Sequence, residues 1–131
     1  MVQHGEKTFL CGLRRGVKIG KNVFFNNGCS VAAMDRVEIG NDCLFGENVK
    51  IYDHNHRFNM KDIPVKKQGY TSNRIIIGNN NWIGSNVVIL KGVKIGENCV
   101  VGAGCVVDTD IEDNCIVKNI GNYKKEFIVF N

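Results

Sequence analysis

The sequence predicts an all-β protein, a parallel β-helix built from hexapeptide repeats, on three observations. Every sixth residue from Ile77 to Val107 is a β-branched aliphatic: Ile77, Ile83, Ile89, Ile95, Val101 and Val107. The next residue is usually small, as at Gly78, Gly84, Gly96 and Gly102, with Leu90 and Asp108 as exceptions. The fifth residue of each unit runs Asn81, Val87, Val93, Cys99, Cys105 and Ile111. A helical period of 3.6 drifts off this face at once, and an ordinary strand alternates with a period of two before a turn. A six-residue period held this long is the signature of stacked coils.

Each hexad is then a short strand and a corner, and three hexads close one triangular coil. The aliphatic residue points into the prism. A small residue after it relieves crowding of the backbone at the corner. Asn79, Asn80, Asn86 and Asn98 follow in positions where left-handed backbone conformations are expected, which Asn tolerates better than most residues. Coils stacked about 4.8 Å apart turn the core into aliphatic ladders.

Taken in order, residues 1–12 carry no period and read as a lead-in. A first train runs Leu13, Ile19, Phe25, Val31, with Val17, Val23, Cys29 and Asp35 at the fifth positions. Two extra residues interrupt the count at Val37 and Glu38, and the train resumes at Ile39, Phe45 and Ile51. Residues 52–74 then break the pattern with a long irregular loop that holds two of the three His and the one Pro. A loop of that length in a repeat domain is usually functional or disordered. Hexads return at Ile75–Ile77, and the frame slips after Val107 to Ile111 and Val117. Residues 121–131 read as a strand or short helix that caps the last coil, because an uncovered end would expose sheet edges.

The 131 residues fit one domain. With 44% hydrophobic and 23% charged residues the chain is globular rather than disordered. No apolar run approaches the roughly 18 residues of a membrane span, and the first residues lack a signal-peptide core. The expected location is the cytoplasm. A net charge of +4 with no basic block argues against a nucleic-acid partner. Six Cys raise the question of disulfides. Cys29, Cys43, Cys99 and Cys105 fall at inward fifth positions, and so does Cys115 after the frame slip. They read as reduced thiols that pack as small hydrophobes, not as nucleophiles.

The segments DHNHRF (53–58), QG (68–69), IIIGNNNWIGSNVVILKGVKIGENCVVGAG (75–104) and IGN (120–122) resemble the hexapeptide-repeat acyltransferases. Sugar and polysaccharide O-acetyltransferases, the galactoside and maltose acetyltransferases among them, are the nearest in pattern. The resemblance implies a left-handed coil, against the usual right-handed crossover. It also implies a homotrimer with active sites between subunits, acetyl-CoA as co-substrate, and a sugar acceptor. It places the catalytic base in the loop at His56, with His54 as the alternative. Trp82, Gly84, Ser85 and the Gly102-Ala103-Gly104 turn match the coenzyme groove, with a backbone donor at Ser85, and Asn26 matches a polar residue of the acceptor pocket. The sequence departs from the family where Asp108-Thr109-Asp110 replaces Thr-Lys-Asp and where Tyr123-Lys124-Lys125 replaces Pro-Ala-Lys. Lys125 is the best remaining candidate for the coenzyme phosphates.

Imidazole titrates near pH 6.5 and serves as general base or acid at neutral pH. The blander reading of either loop His is an exposed polar residue, and Trp82 is as much a plain surface or interface anchor as a groove residue. Asp53 either orients a His or is a solvated turn residue, and the sequence favours the latter. Some β-helix proteins resemble γ-type carbonic anhydrases and bind zinc through three His. Here only His4, His54 and His56 exist, and His4 lies far from the loop, so no metal is expected. An N-acetyltransferase acting on a nucleotide-linked amino sugar and a non-catalytic scaffold are the alternatives.

Overall fold

The computed structural model describes residues 2–4, 9–11, 16–121 and 125–131, with side chains from residue 16 onward. The chain climbs in triangular coils of two- and three-residue strands. The first turn holds β1 (Val2–His4), β2 (Phe9–Cys11) and β3 (Val17–Ile19); the second holds β4 (Val23–Phe25), β5 (Ser30–Ala32) and β6 (Val37–Ile39). The third begins with β7 (Leu44–Phe45) and β8 (Lys50–Tyr52). There the chain leaves as an arm carrying β9 (His54–His56) and β10 (Tyr70–Ser72), and returns to close the turn with β11 (Ile75–Ile77). Above it lie β12 (Trp82–Ile83), β13 (Val88–Ile89) and β14 (Lys94–Ile95), then β15 (Val100–Val101), β16 (Val106–Val107) and, last, β17 (Ile116–Val117).

Successive turns stack into three parallel sheets, one per face of the prism. Face A is ordered β1-β4-β7-β12-β15-β17, face B β2-β5-β8-β13-β16 and face C β3-β6-β11-β14. A bridge from Ile95 to Ile111 carries face C one residue further. The registers confirm the ladders expected from the hexads. Phe25 pairs with Phe45, Ile83 with both Phe45 and Val101, and Val101 with Val117. Val31, Ile51, Ile89 and Val107 form the ladder of face B. Ile39, Ile77 and Ile95 form that of face C. All of these except Val117 are buried. Burying each such side chain contributes about 1.5–3 kcal/mol.

The lead-in differs from expectation. β1 and β2 pair with β4 and β5 and so form a further rung of the coil, Leu10 standing opposite Val31. His4 stands opposite Phe25, where an aliphatic is expected, which hides the period. Leu13, proposed as the first hexad residue, lies outside the described residues, as do Asn122, Tyr123 and Lys124. Residues 125–131 contain neither strand nor helix and are exposed, Phe127 fully. Asn131 N donates to Asn59 O at 3.0 Å, so the tail runs to the arm.

The inward fifth positions are equally ordered. Cys29, Cys43, Cys99 and Cys105 are buried and free, and Cys115 is half-buried. Cys29 Sγ lies 3.1 Å from Gly46 O, Cys43 Sγ 3.2 Å from Gly78 O and Cys99 Sγ 3.1 Å from Glu112 O. Burial raises the thiol pKa of Cys29 and Cys43 above the ordinary value, which disfavours the thiolate. The side chain of Cys11 lies outside the described residues. Asn81 takes the same kind of position with every polar atom used. Its Nδ2 donates to Gly78 O and Gly96 O at 3.1 and 2.8 Å, and its Oδ1 accepts from Cys99 N at 2.7 Å.

The corners divide the labour between Gly and Asn. Asn80, Asn86 and Asn98 have φ of 55°, 60° and 57° as expected. Asn79 is not among the positive-φ residues; it is a rung of a side-chain ladder, its Oδ1 accepting from Asn41 N and its Nδ2 donating to Glu97 Oε1. Gly84 is required by crowding, since a Cβ there meets Ala103 N at 2.7 Å and Val101 O at 2.9 Å. Both contacts are backbone of the next coil, which is hydrogen-bonded on both sides and cannot yield cheaply. Gly84→Ala is therefore expected to cost about 1–3 kcal/mol. Gly102→Ala, whose nearest contact is Val117 O at 3.1 Å, should cost clearly less. Paired urea denaturation curves check the order.

Candidate active site

The arm starts where the coil turns from face B to face C. Tyr52 ends β8, and Asp53 turns back into the body of the protein, with no exposed surface. Its Oδ1 accepts from Met34 N at 2.8 Å, and its Oδ2 accepts from Asp35 N and Arg36 N, each at 2.7 Å. Oδ1 also lies 3.0 Å from His54 Nδ1. The expectation of a solvated turn residue is thus corrected. The corner at 34–36, on the rung below, carries the two extra residues, which corrects their expected place at Val37 and Glu38: Val37 is buried opposite Val17 and takes the inward fifth position expected of Asp35, which is exposed. The N–H groups of this corner cradle the carboxylate. Burial opposes ionisation of Asp53. The hydrogen bonds from Met34 N, His54 Nδ1, Asp35 N and Arg36 N outweigh it and hold the carboxyl below its usual range.

The loop expected to be irregular is folded. β9 and β10 form an antiparallel hairpin in which His56 faces Tyr70 and His54 faces Ser72. The segment between them is built around Gln68, a buried residue. Gln68 Oε1 accepts from Met60 N, and Nε2 donates to Met60 O and Ile63 O at 3.0 and 2.6 Å. Gly69, at φ 83°, reverses the chain, and its carbonyl accepts from Arg57 N. Arg57 Nε also holds Tyr70 O at 3.1 Å.

Both imidazoles open on one surface cleft of 530 Å³, walled by Ala32, Tyr52, His54, His56, Phe58 and Tyr70. The His54 side chain is 22% exposed, whereas His56 is exposed. The Tyr70 ring touches both: its centroid lies 5.7 Å from that of His54, edge-on, and 4.6 Å from that of His56, tilted by 37°. The Tyr52 ring stands 6.2 Å from His54. The cleft therefore offers aromatic faces around two proton-accepting rings.

The residues matched to a coenzyme groove, and Asn26, matched to the acceptor pocket, lie elsewhere. Asn26, Gly84 and Gly102 stack at the corner between faces A and B, with Ser85 and then Ala103-Gly104 next to them. Asn26 Oδ1 accepts from Asn27 N. Three N–H groups of this corner are committed to the coil, Gly84 N to Val101 O, Gly102 N to Val117 O and Gly104 N to Ser85 O. Gly84 N is thus not free to donate to a bound group. Ser85 Oγ accepts from Glu47 N at 3.2 Å. Trp82 stands on the outer side of face A, 56% exposed, between Leu44 and Val100. Lys125 is exposed in the tail. One chain thus carries its imidazoles on one edge of the prism and its Gly84-Ser85 corner on another.

Among the described residues no three His, Cys, Asp or Glu side chains gather as a metal site, and the His4 side chain lies outside them. Among the described residues no helix is long and apolar enough to cross a membrane.

The family described as bacterial transferase hexapeptide (six repeats) matches residues 74–109, the stretch that runs through β11 to β16. Residues 74–109 thus carry the hexapeptide repeat read from the hexads. The chain is similar to a putative lipopolysaccharide biosynthesis O-acetyl transferase of Escherichia coli K12, 36% identical over 76% of this chain and 54% of the relative. Among solved structures it is similar to a maltose O-acetyltransferase from Clostridium difficile, with a TM-score of 0.79 and 30% identity over 88% of this chain and 60% of that one. It is also similar to a hexapeptide-repeat acetyltransferase from Vibrio cholerae complexed with acetyl coenzyme A, with a TM-score of 0.73 and 29% identity over 86% and 64%. The hexapeptide-repeat chain spans about half the length of the curated relatives it matches. Its fold is the left-handed parallel β-helix of that class.

Proposed function

We propose that this hexapeptide-repeat chain is an acetyl-CoA-dependent O-acetyltransferase. It moves the acetyl group directly to a hydroxyl of a sugar or polysaccharide precursor, with His56 as general base. The observation that carries this reading is the single cleft in which two imidazoles meet aromatic rings on an ordered arm. Aromatic faces suit the apolar side of a pyranose ring, and an exposed imidazole suits a hydroxyl that must lose its proton. The similarity to O-acetyltransferases and to a structure holding acetyl coenzyme A supports the donor.

The acceptor hydroxyl gives its proton to His56 as its oxygen attacks the thioester carbonyl. Ser85 N, on a corner stripped of Cβ atoms at Gly84 and Gly102, donates to the oxyanion. The C–S bond then breaks, and the thiolate leaves with the proton held by His56. No covalent enzyme intermediate is needed. Because the imidazoles and the Ser85 corner occupy different edges of one chain, the complete site forms between copies. A homotrimer places the arm of one against the corner of the next. The exposed side chains of Leu44, Trp82 and Ile116 on face A supply apolar surface for such contacts. Trp82, Ala103, Gly104 and Lys125 line the coenzyme side and Asn26 the acceptor side, with no metal, in the cytoplasm.

Thiol release from acetyl-CoA, measured against a panel of sugars, amino sugars and nucleotide-linked sugars, tests this reading. Release is expected with a hydroxyl acceptor. Release that depends on an amino sugar alone replaces it with N-acetylation, and no release with any acceptor favours a non-catalytic scaffold.

A further inference from the structure

The buried carboxylate at the root of the arm is not used by the transfer as just described. It is nevertheless the most heavily bonded acidic side chain among the described residues. Three of its four hydrogen bonds tie it to the backbone of Met34, Asp35 and Arg36 on the rung below. The fourth joins it to an imidazole that lines the cleft.

We propose that Asp53 is a positioning residue: it fixes His54 as the Nδ1–H tautomer and, through the Tyr70 ring that both imidazoles touch, sets the orientation of His56. This rests on the reading of His56 as the base. The reasoning starts from the carboxylate. An ionised carboxylate only accepts, so the proton in the 3.0 Å contact belongs to His54 Nδ1. The neutral ring then carries its lone pair on Nε2. The ring is also held in place, because Asp53 is anchored to a rung rather than to the arm. Tyr70 lies against His54 on one side and against His56 on the other. A His54 ring free to turn would release Tyr70, and His56 with it. Other titratable or charged groups around the pair are Tyr52 at the end of β8, Tyr70 and His56 on the arm, and Asp35 and Arg36 on the corner. Arg36 is engaged with Glu38 at 2.6 Å.

The test uses the full chain. Nitrogen NMR of the imidazoles should show His54 protonated at Nδ1 in the unmodified protein and a tautomer mixture in Asp53→Asn. Because Asp53→Asn also disturbs the corner, His54→Gln serves as the second variant, since it leaves the three backbone bonds of Asp53 in place. It should lower kcat about 10- to 100-fold, in the range of outer positioning partners. KM and the unfolding midpoint should hold, and the ring signals of His56 should shift. Three results overturn the proposal: His54 protonated at Nε2 in the unmodified protein; a His54→Gln variant with unchanged kcat and unchanged His56 signals; or a loss in His54→Gln as deep as in His56→Ala, which makes His54 itself the base. The tautomer is read without turnover. An inactive chain with Nδ1-protonated His54 therefore rejects the transferase reading and not the positioning of His54.

Discussion

His56→Ala is expected to lower kcat by about 10²- to 10⁴-fold, the span of a positioned general base. That is roughly 2.7–5.4 kcal/mol of transition-state stabilisation. The KM for acetyl-CoA should move little, because the imidazole handles protons at the acceptor hydroxyl and the departing sulfur and holds no other part of the coenzyme. The fold should also hold. His56 is exposed on the arm, outside every ladder of the coil, and a surface substitution of this kind normally changes stability by about 0.5 kcal/mol or less. Steady-state kinetics beside a thermal melt separate the two quantities. An exposed His with no chemical role would leave both unchanged. Near-normal turnover in His56→Ala with loss in His54→Ala would reverse the assignment within the pair.

The coil was legible because its core is written at a fixed interval. Ile77, Ile83, Ile89 and Ile95 each reach the prism axis for one reason, that a six-residue step returns the chain to the next face. Even the inward thiols followed from phase alone. Legibility failed where the interval did. His4 occupies a rung position that the pattern reserves for an aliphatic, so the first turn passed as a lead-in. Asn79 and Asn80 are chemically identical neighbours, yet only Asn80 takes the left-handed conformation, because the corner needs a single positive φ and uses the other Asn as a ladder rung.

The site shows the same division. The HNH triplet announces imidazoles, and alternation along β9 explains why His54 and His56 open on one cleft. Nothing in residues 52–74 announces that Asp53 is buried. Its partners lie at 34–36, on another coil, and the only trace of them in the sequence is a count that runs two residues long before Val37. An insertion in a repeat is thus a place to look for donors to a buried acid on the neighbouring rung. Gln68 is a similar case. In the sequence it is one half of a QG pair, and in the fold its amide replaces the missing ladder of the arm by bonding Met60 and Ile63.

Phe45→Ala is expected to cost about 3–5 kcal/mol, the range for a buried Phe reduced to Ala. Phe45 has no exposed surface and stacks on Phe25, ring centroids 4.5 Å apart and planes within 13°. On its other side lies Ile83. The two rings fill the prism below the aliphatic rungs Ile83, Val101 and Val117 of face A, so truncating one removes both its transfer free energy and a stacked partner worth about 0.5–1.5 kcal/mol. Collapse around the gap is obstructed. Gly46 N holds Ile83 O, and Asn26 N holds Phe45 O, so the rungs on either side are pinned by backbone bonds that must keep their spacing. The cavity therefore persists, which places the cost toward the upper end of the range. By contrast Leu44, the neighbour that points outward and is 45% exposed, should give an Ala variant far less impaired in an isolated subunit. Urea unfolding of the two variants at matched protein concentration decides it. A Phe45→Ala midpoint close to that of the unmodified chain would mean that the coils slide together, and that the ladder is not a stack of rigid rungs.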